Sequence, residues 1–274
     1  MQAVFGVDGE CASALLISFV GGYPVGISCV TSLYEASVIT KKDAEQAILF
    51  CNNSGPGFFV GVVGATVLRS VRLGLILYFI HMISAIAVGR LLCRSRPSMV
   101  TIRRQAVHQE TTSQQFLNAI TSASSSLLQV CALIVFFCVF LEMIECIGIL
   151  SLLHGLPIGL TKQQLSAAIY GTLELTGGIL RLNDSSFVAA AFFMSWGGVC
   201  VHFQAMSFWR KAGLMPKGYY FAKLLHAFIS ALLAYCYLNP NAIGVFILCL
   251  LGAVCVIFPQ IRKKVGRNPL RFAL

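Results

Sequence analysis

The stretch FCNNSGPGFF (residues 50–59) sets a polar, glycine- and proline-containing interruption inside an apolar run, and FMSWGGVCVHFQ (193–204) does the same in the second half of the chain. Each is preceded by another interrupted segment, SFVGGYPVG (18–26) in the first half and GTLELTGGIL (171–180) in the second. Free backbone groups and side chains such as Asn53 or Glu174 are costly in lipid, so breaks at membrane depth are tolerated only where they face protein or a water-filled cavity. Corresponding breaks in two halves point to a transporter binding site.

Composition agrees with a membrane protein. Of 274 residues, 57% are hydrophobic and 11% charged, and the mean hydropathy is +0.82, whereas soluble domains carry about 25% charged residues. The net charge of +10 sits mostly in short connections and the tail, which suits the cytoplasmic face of a bilayer rather than a nucleic-acid patch. The first twenty residues contain Asp8 and Glu10 and no basic residue, so they do not read as a signal peptide. Eleven cysteines are scattered without a CxxC pair, which argues against a disulfide framework or a structural zinc site. Cys131, Cys138 and Cys146 recur at near-heptad spacing and read as a small-residue packing seam. No nucleophile elbow, P-loop, GxGxxG or HExxH is present, so nothing supports an enzyme.

Six stretches are long enough to cross a hydrocarbon core of about 30 Å: residues 46–69, 72–93, 122–150, 186–206, 219–238 and 243–260. Two more, 11–35 and 165–182, have apolar arms on either side of a break and read as re-entrant hairpins. Lysine and arginine in the connections set the orientation. Arg90, Arg94, Arg96, Arg103 and Arg104, then Arg210, Lys211 and Lys217, then Arg262, Lys263, Lys264 and Arg267 place two connections and the tail in the cytoplasm, with Arg69 and Arg72 dissenting, and both termini are expected there. HGLPIGL (154–160) and LNPNA (238–242) fall on the far side. The first hairpin then enters from the cytoplasmic face, because Lys41 and Lys42 follow it, and the second from the opposite face. The expected fold is an all-α polytopic membrane protein with about six transmembrane helices and two re-entrant hairpins in an inverted repeat. Its divisions are a first repeat at 1–93, a basic cytoplasmic linker at 94–118 whose TTSQQ (111–115) begins a helix, a second repeat with additional helices at 119–260, and a basic tail at 261–274.

The breaks carry the candidate chemistry. Pro56 cannot donate a helical hydrogen bond and Gly55 and Gly57 permit unusual backbone angles, so the helix should open there. Asn52, Asn53 and Ser54 then offer donors and acceptors to a neutral polar solute or a cation, or satisfy one another across a kink. Gly57 and Gly61 read as a close helix-packing pair. Glu174, with Thr172 and Thr176 beside it, can accept hydrogen bonds from a ligand, hold a coupling cation, or bind a proton; the alternative is pairing with Arg181. Glu142 and Glu145 read as interfacial or structurally paired. Gly22 and Tyr23 in the first hairpin and Ser195 and Trp196 in the second break complete the candidate binding set, with Trp196 either stacking on a flat ring or packing, and His202 able to sense pH. His81 and His226 read as helix-packing histidines.

GGYPVG (21–26), TSLYEASVITKKDAEQAILFCNNSGPGFFVG (31–61) and LELTGG (173–178) resemble the YlbJ-type sporulation integral membrane proteins of the nucleoside-recognition, or Gate-domain, group. The resemblance implies a plan similar to concentrative nucleoside transporters, two oppositely entering hairpins and two broken helices around a midplane site, in a cell or forespore membrane. It implies movement of dipicolinic acid during spore formation, with nucleoside or nucleobase transport and a non-transporting scaffold or gate subunit as the alternatives. Members of this type carry further hydrophobic helices ahead of the GGYP motif, so this chain is expected to be a late-start gene model, a fragment or a natural short form. No organic cofactor is expected. Sodium or a proton is the expected coupling ion, with Glu174 and Asn53 to hold it. The expected partners are the lipid bilayer, a small-molecule substrate, and a second copy of the chain or other sporulation membrane proteins; nucleic acid is not among them.

Overall fold

Glycine, proline and cap residues divide the apolar sequence into helices at points that local chemistry dictates. The computed structural model describes residues 1–93, 111–148 and 159–242. The connection with Arg94, Arg96, Arg103 and Arg104, most of HGLPIGL, the stretch 243–260 and the basic tail lie outside the described residues. Among the described residues every regular element is helical: α1 (Gln2–Phe5), α2 (Cys11–Gly21), α3 (Val25–Glu35), α4 (Lys41–Ile48), a π-helix (Phe58–Val67), α5 (Val71–Leu92), α6 (Thr112–Cys146), α7 (Lys162–Leu173), α8 (Leu175–Leu180), α9 (Phe187–Trp196), α10 (Gly198–Lys211) and α11 (Tyr219–Leu238). Residues 1–231 form one compact unit. The second, from Leu232, includes the last turns of α11 and a 3-10 turn at Pro240–Ala242.

Among the described residues, four helical segments are long and apolar enough to cross a membrane: Val71–Leu92, Thr112–Cys146, Phe187–Lys211 and Tyr219–Leu238. They coincide with four of the six expected stretches. The stretch 46–69 is not one helix. α4 ends at Ile48, Asn52–Gly55 runs without helical structure, and the chain resumes near Pro56 before entering the π-helix. Ser70 caps α5 by accepting from the Leu73 N–H at 3.3 Å, and Thr161 and Gln164 form a reciprocal capping box at α7. Thr111 caps α6 at TTSQQ.

Packing corrects two expectations. A Cβ at Gly57 or Gly61 would meet nothing within 4 Å; the close approach is instead between Gly64 and Gly74, where a Cβ on Gly64 would lie 3.0 Å from the Gly74 Cα. Phe58–Val67 is π-helical, so a spacing rule for α-helices does not transfer to it. Cys131, Cys138 and Cys146 are exposed rather than packed. They share the outward surface of α6 with Leu127, Leu128, Val135, Phe136, Val139 and Met143, an apolar face suited to lipid.

Two ends of the compact unit can be told apart. Lys41 Nζ donates to the Gly213 carbonyl at 3.1 Å, and the Met215 N–H donates to Glu45 Oε1 at 3.0 Å. Cys93 Sγ lies 3.5 Å from the Gln46 carbonyl, which brings the end of α5 to α4. Phe5 stacks on Phe50 with ring centroids 4.8 Å apart, so the chain ahead of α2 meets the segment after α4. At the C-terminal end of α6, Arg181 lies 3.9 Å from Glu145, and the Tyr170 hydroxyl donates to Glu145 Oε2 at 2.5 Å.

Candidate functional site

Each half brings its own two breaks together. In the first, Gly22 has φ 79° and ψ −169°, a conformation that is essentially glycine-only, and a Cβ there would lie 2.9 Å from the Gly55 nitrogen. The turn between α2 and α3 therefore lies directly against the opened Asn52–Gly55 segment. In the second, Gly197 and Gly198 both have left-handed φ, 86° and 76°, which ends α9 and restarts the chain as α10. A Cβ on Gly198 would lie 3.1 Å from the Leu175 nitrogen and 3.2 Å from the Leu173 carbonyl, so this break abuts Glu174.

The halves meet at a cavity of about 370 Å³. Gly22, Tyr23 and Ser54 line it from the first half, Glu174, Thr176 and Gln204 from the second. Val130 and Ile134 of α6 form an apolar wall. Glu174 is 3% exposed and caps α8: Oε1 accepts the Thr176 N–H at 2.9 Å and Oε2 the Gly177 N–H at 2.6 Å. Charge-assisted bonds to a helix N-terminus hold a carboxylate at the cavity edge. Arg181 is not its partner. The guanidinium pairs with Glu145, lies 3.3 Å from the Tyr170 ring centroid and donates to the Gly177 carbonyl at 3.2 Å.

The remaining candidates sit behind this lining. Asn53 Nδ2 donates to Ser18 Oγ at 2.9 Å and the Phe50 carbonyl at 2.8 Å, and Asn52 Nδ2 donates to the Tyr219 hydroxyl at 2.6 Å. Both Oδ1 atoms are buried without a partner. Ser195 Oγ lies 2.9 Å from His81 Nδ1. Thr172 bonds its hydroxyl to the Ala168 carbonyl at 2.7 Å and accepts from Trp196 Nε1 at 3.1 Å through its own carbonyl. Trp196 meets the His202 ring edge-on at 4.4 Å, a packing arrangement. Of the ten candidates, Gly22, Tyr23, Ser54, Glu174 and Thr176 reach the cavity surface, and Asn52, Asn53, Thr172, Ser195 and Trp196 do not.

The chain is similar to YlbJ, a sporulation integral membrane protein of Bacillus subtilis (strain 168). The homologues are 24% identical over 264 residues, covering 84% of this chain and 64% of the relative. The chain thus spans less than two thirds of the relative's length. No family model and no solved structure matches the chain.

Sequence reasoning passed over Lys223. It is 1% exposed, and its ammonium donates to the Asn52 carbonyl at 2.9 Å, with His226 Nδ1 at 3.4 Å and the Tyr23 hydroxyl at 3.5 Å. A lysine within a span was itself the available clue. Its position four residues after Tyr219 suggests a side chain reaching toward the interface, and only the packing of the opened segment against α11 buries it. Gln204 and Cys200 of α10 also line the cavity.

Proposed function

We propose that this chain is an integral membrane carrier of a small polar metabolite that acts during spore formation, with its site in the cavity where the four breaks meet. The observation that carries the reading is the shared lining: turn and opened segment from one half, capped carboxylate and broken helix from the other, around one cavity. Such interruptions are tolerated at membrane depth where they line a cavity. On this reading α2–α3 and α7–α8 are re-entrant hairpins of an inverted repeat, as in concentrative nucleoside transporters, and the chain belongs to the Gate-domain group. In support, Phe5 and the α4 contacts lie at the Gly213 end, whereas Arg181 at the mouth of α7–α8 pairs with Glu145 at the far end of α6. The sporulation role rests on the similarity to YlbJ.

Two substrates follow from different grounds. Dipicolinate is implied by the resemblance. A nucleoside fits the Glu174 carboxylate better, because a buried acceptor favours N–H and O–H donors and repels a dianion. The amide groups of the helix start at Gly57 and Phe58, which also line the cavity, offer the partial positive charge a dianion would need. Uptake into proteoliposomes of dipicolinate and of uridine, with and without sodium and proton gradients, tests the proposal. Saturable uptake of either supports a carrier; neither moving, in protein shown to be folded, favours a scaffold or gate subunit.

A further inference from the structure

Lys223 presents a charge that the cavity chemistry leaves unused. Its acceptors are all neutral: the Asn52 carbonyl, the lone pair of His226 Nδ1 and the Tyr23 hydroxyl, with the Tyr23 ring centroid 5.2 Å from the ammonium. The titratable groups facing this cluster are Tyr23 from the α2–α3 turn, Tyr219 and His226 from α11, His81 from α5 and His202 from α10. Among the described residues, no carboxylate oxygen lies within 4.0 Å of the ammonium. An uncompensated buried charge is strongly unfavourable, so it is relieved either by a counterion or by loss of a proton.

Hydrogen bonding decides which group carries that proton. His81 Nε2 accepts the Ser54 N–H at 3.2 Å, so the ring proton sits on Nδ1 and is donated to Ser195 Oγ. His226 Nε2 donates to the His81 carbonyl at 3.0 Å, which leaves Nδ1 as a lone pair toward Lys223. A second proton on His81 would meet the Ser54 N–H, and one on His226 would face the ammonium. His81 is therefore held neutral by the Ser54 N–H and His226 by the ammonium it faces, and the labile proton of the cluster is the ammonium's.

We propose that Lys223 is a proton-binding site whose charged form latches the cavity. The ammonium ties three elements: the opened segment through Asn52, the hairpin turn through Tyr23, and α11. Tyr23, and Ser54 two residues beyond Asn52, line the cavity, and charge-assisted hydrogen bonds are roughly twice as strong as neutral ones. Transfer of one proton from the ammonium to water leaves a neutral amine with its lone pair and weakens the latch, opening the lining. Coupling of this event to uptake rests on the carrier reading; the latch itself does not.

The test uses a reporter in the full chain in lipid. A Cβ at Gly57 meets open space, and the residue lines the cavity, so the thiol of Gly57→Cys reports access by maleimide labelling, read by peptide mass spectrometry. Rates are divided by those of an exposed Lys217→Cys control, which carries the thiol's own pH dependence. The latch predicts labelling that rises through a transition as pH increases, lost and uniformly fast in Lys223→Met, and lost and uniformly slow in Lys223→Arg, which keeps a permanent cation. Superimposable profiles in the parent and in whichever of these variants folds overturn it. In proteoliposomes, Lys223→Met should lose the stimulation of accumulation by a proton gradient. If labelling shows the latch but neither substrate moves, the carrier reading fails and the proton site stands; uptake with pH-independent labelling removes the proton site alone.

Discussion

The Tyr23 hydroxyl donates to the Met194 carbonyl at 2.8 Å across 171 residues of sequence. Met194 lies in the last turn of α9, whose final carbonyls lose their helical partners when Gly197 and Gly198 break the helix. The hairpin turn of one half thus caps the broken helix of the other. The same hydroxyl lies 3.5 Å from Lys223 Nζ, so one phenol joins the carbonyl, the buried cation and the cavity wall.

Replacing Tyr23 with phenylalanine keeps the ring and removes that oxygen. A buried carbonyl left without its donor costs about 1–3 kcal/mol. The variant should unfold at lower temperature in detergent, as read by loss of monodisperse protein on size-exclusion chromatography after heating. Unchanged thermal stability would mean that the Met194 carbonyl finds another donor.

Gly22→Ala should be among the more damaging single changes in the first half. Its φ and ψ lie in a region that costs about 1–3 kcal/mol for other residues, and the added methyl would press on the Gly55 backbone at 2.9 Å. Gly57→Ala, where the methyl meets open space, should be mild. Comparing their melting profiles tests whether turn-to-segment contact, rather than glycine content in general, organises this half. Equal effects would reject it.

These breaks were legible because they are local events: Pro56, the paired glycines and Glu174 each announce a helix end in the few residues around them. Partner choice was not. Pairing of Arg181 with Glu174 was the alternative that nearness in sequence offers, yet the Thr176 and Gly177 amides hold the carboxylate and the guanidinium goes to Glu145. Asn52 and Asn53 were marked as ligand groups because polar atoms in an apolar run demand partners. Their amide nitrogens have them, at Tyr219 and Ser18, from elements whose proximity no local pattern encodes, while both Oδ1 atoms stay unpartnered. The π-helix at Phe58–Val67 seats Gly64 on Gly74, a contact that is likewise between elements.

The ends of the compact unit give a direct test of orientation. Lys41 and Glu45 bond to the 213–215 connection, so cysteines introduced at the exposed positions Lys42 and Lys217 should react with a membrane-impermeant reagent from the same, cytoplasmic side. One at Lys162, exposed at the start of α7, should react only from the other side. Native thiols must first be shown to be silent. Labelling of all three from one side would remove the inverted repeat.

Glu174→Gln separates the two substrates. The amide keeps one acceptor for the α8 cap but presents an NH2 to the other backbone N–H, a loss within the roughly 0.5–2 kcal/mol range of cap substitutions. Removing a buried charge works in the opposite direction, by about 2.5–3.5 kcal/mol on insertion scales, so folded abundance should hold. Arg181 keeps Glu145 in this variant and is not orphaned. A nucleoside held through its donors should bind less tightly, with a raised apparent KM for uridine. A dianion relieved of repulsion should be taken up more readily, with a lowered KM for dipicolinate. Any dependence on a proton gradient should survive, because the proposed proton site is Lys223. Initial rates for both solutes, normalised to membrane-inserted protein, decide among these outcomes. Unchanged kinetics for both at normal abundance would exclude Glu174 from the site.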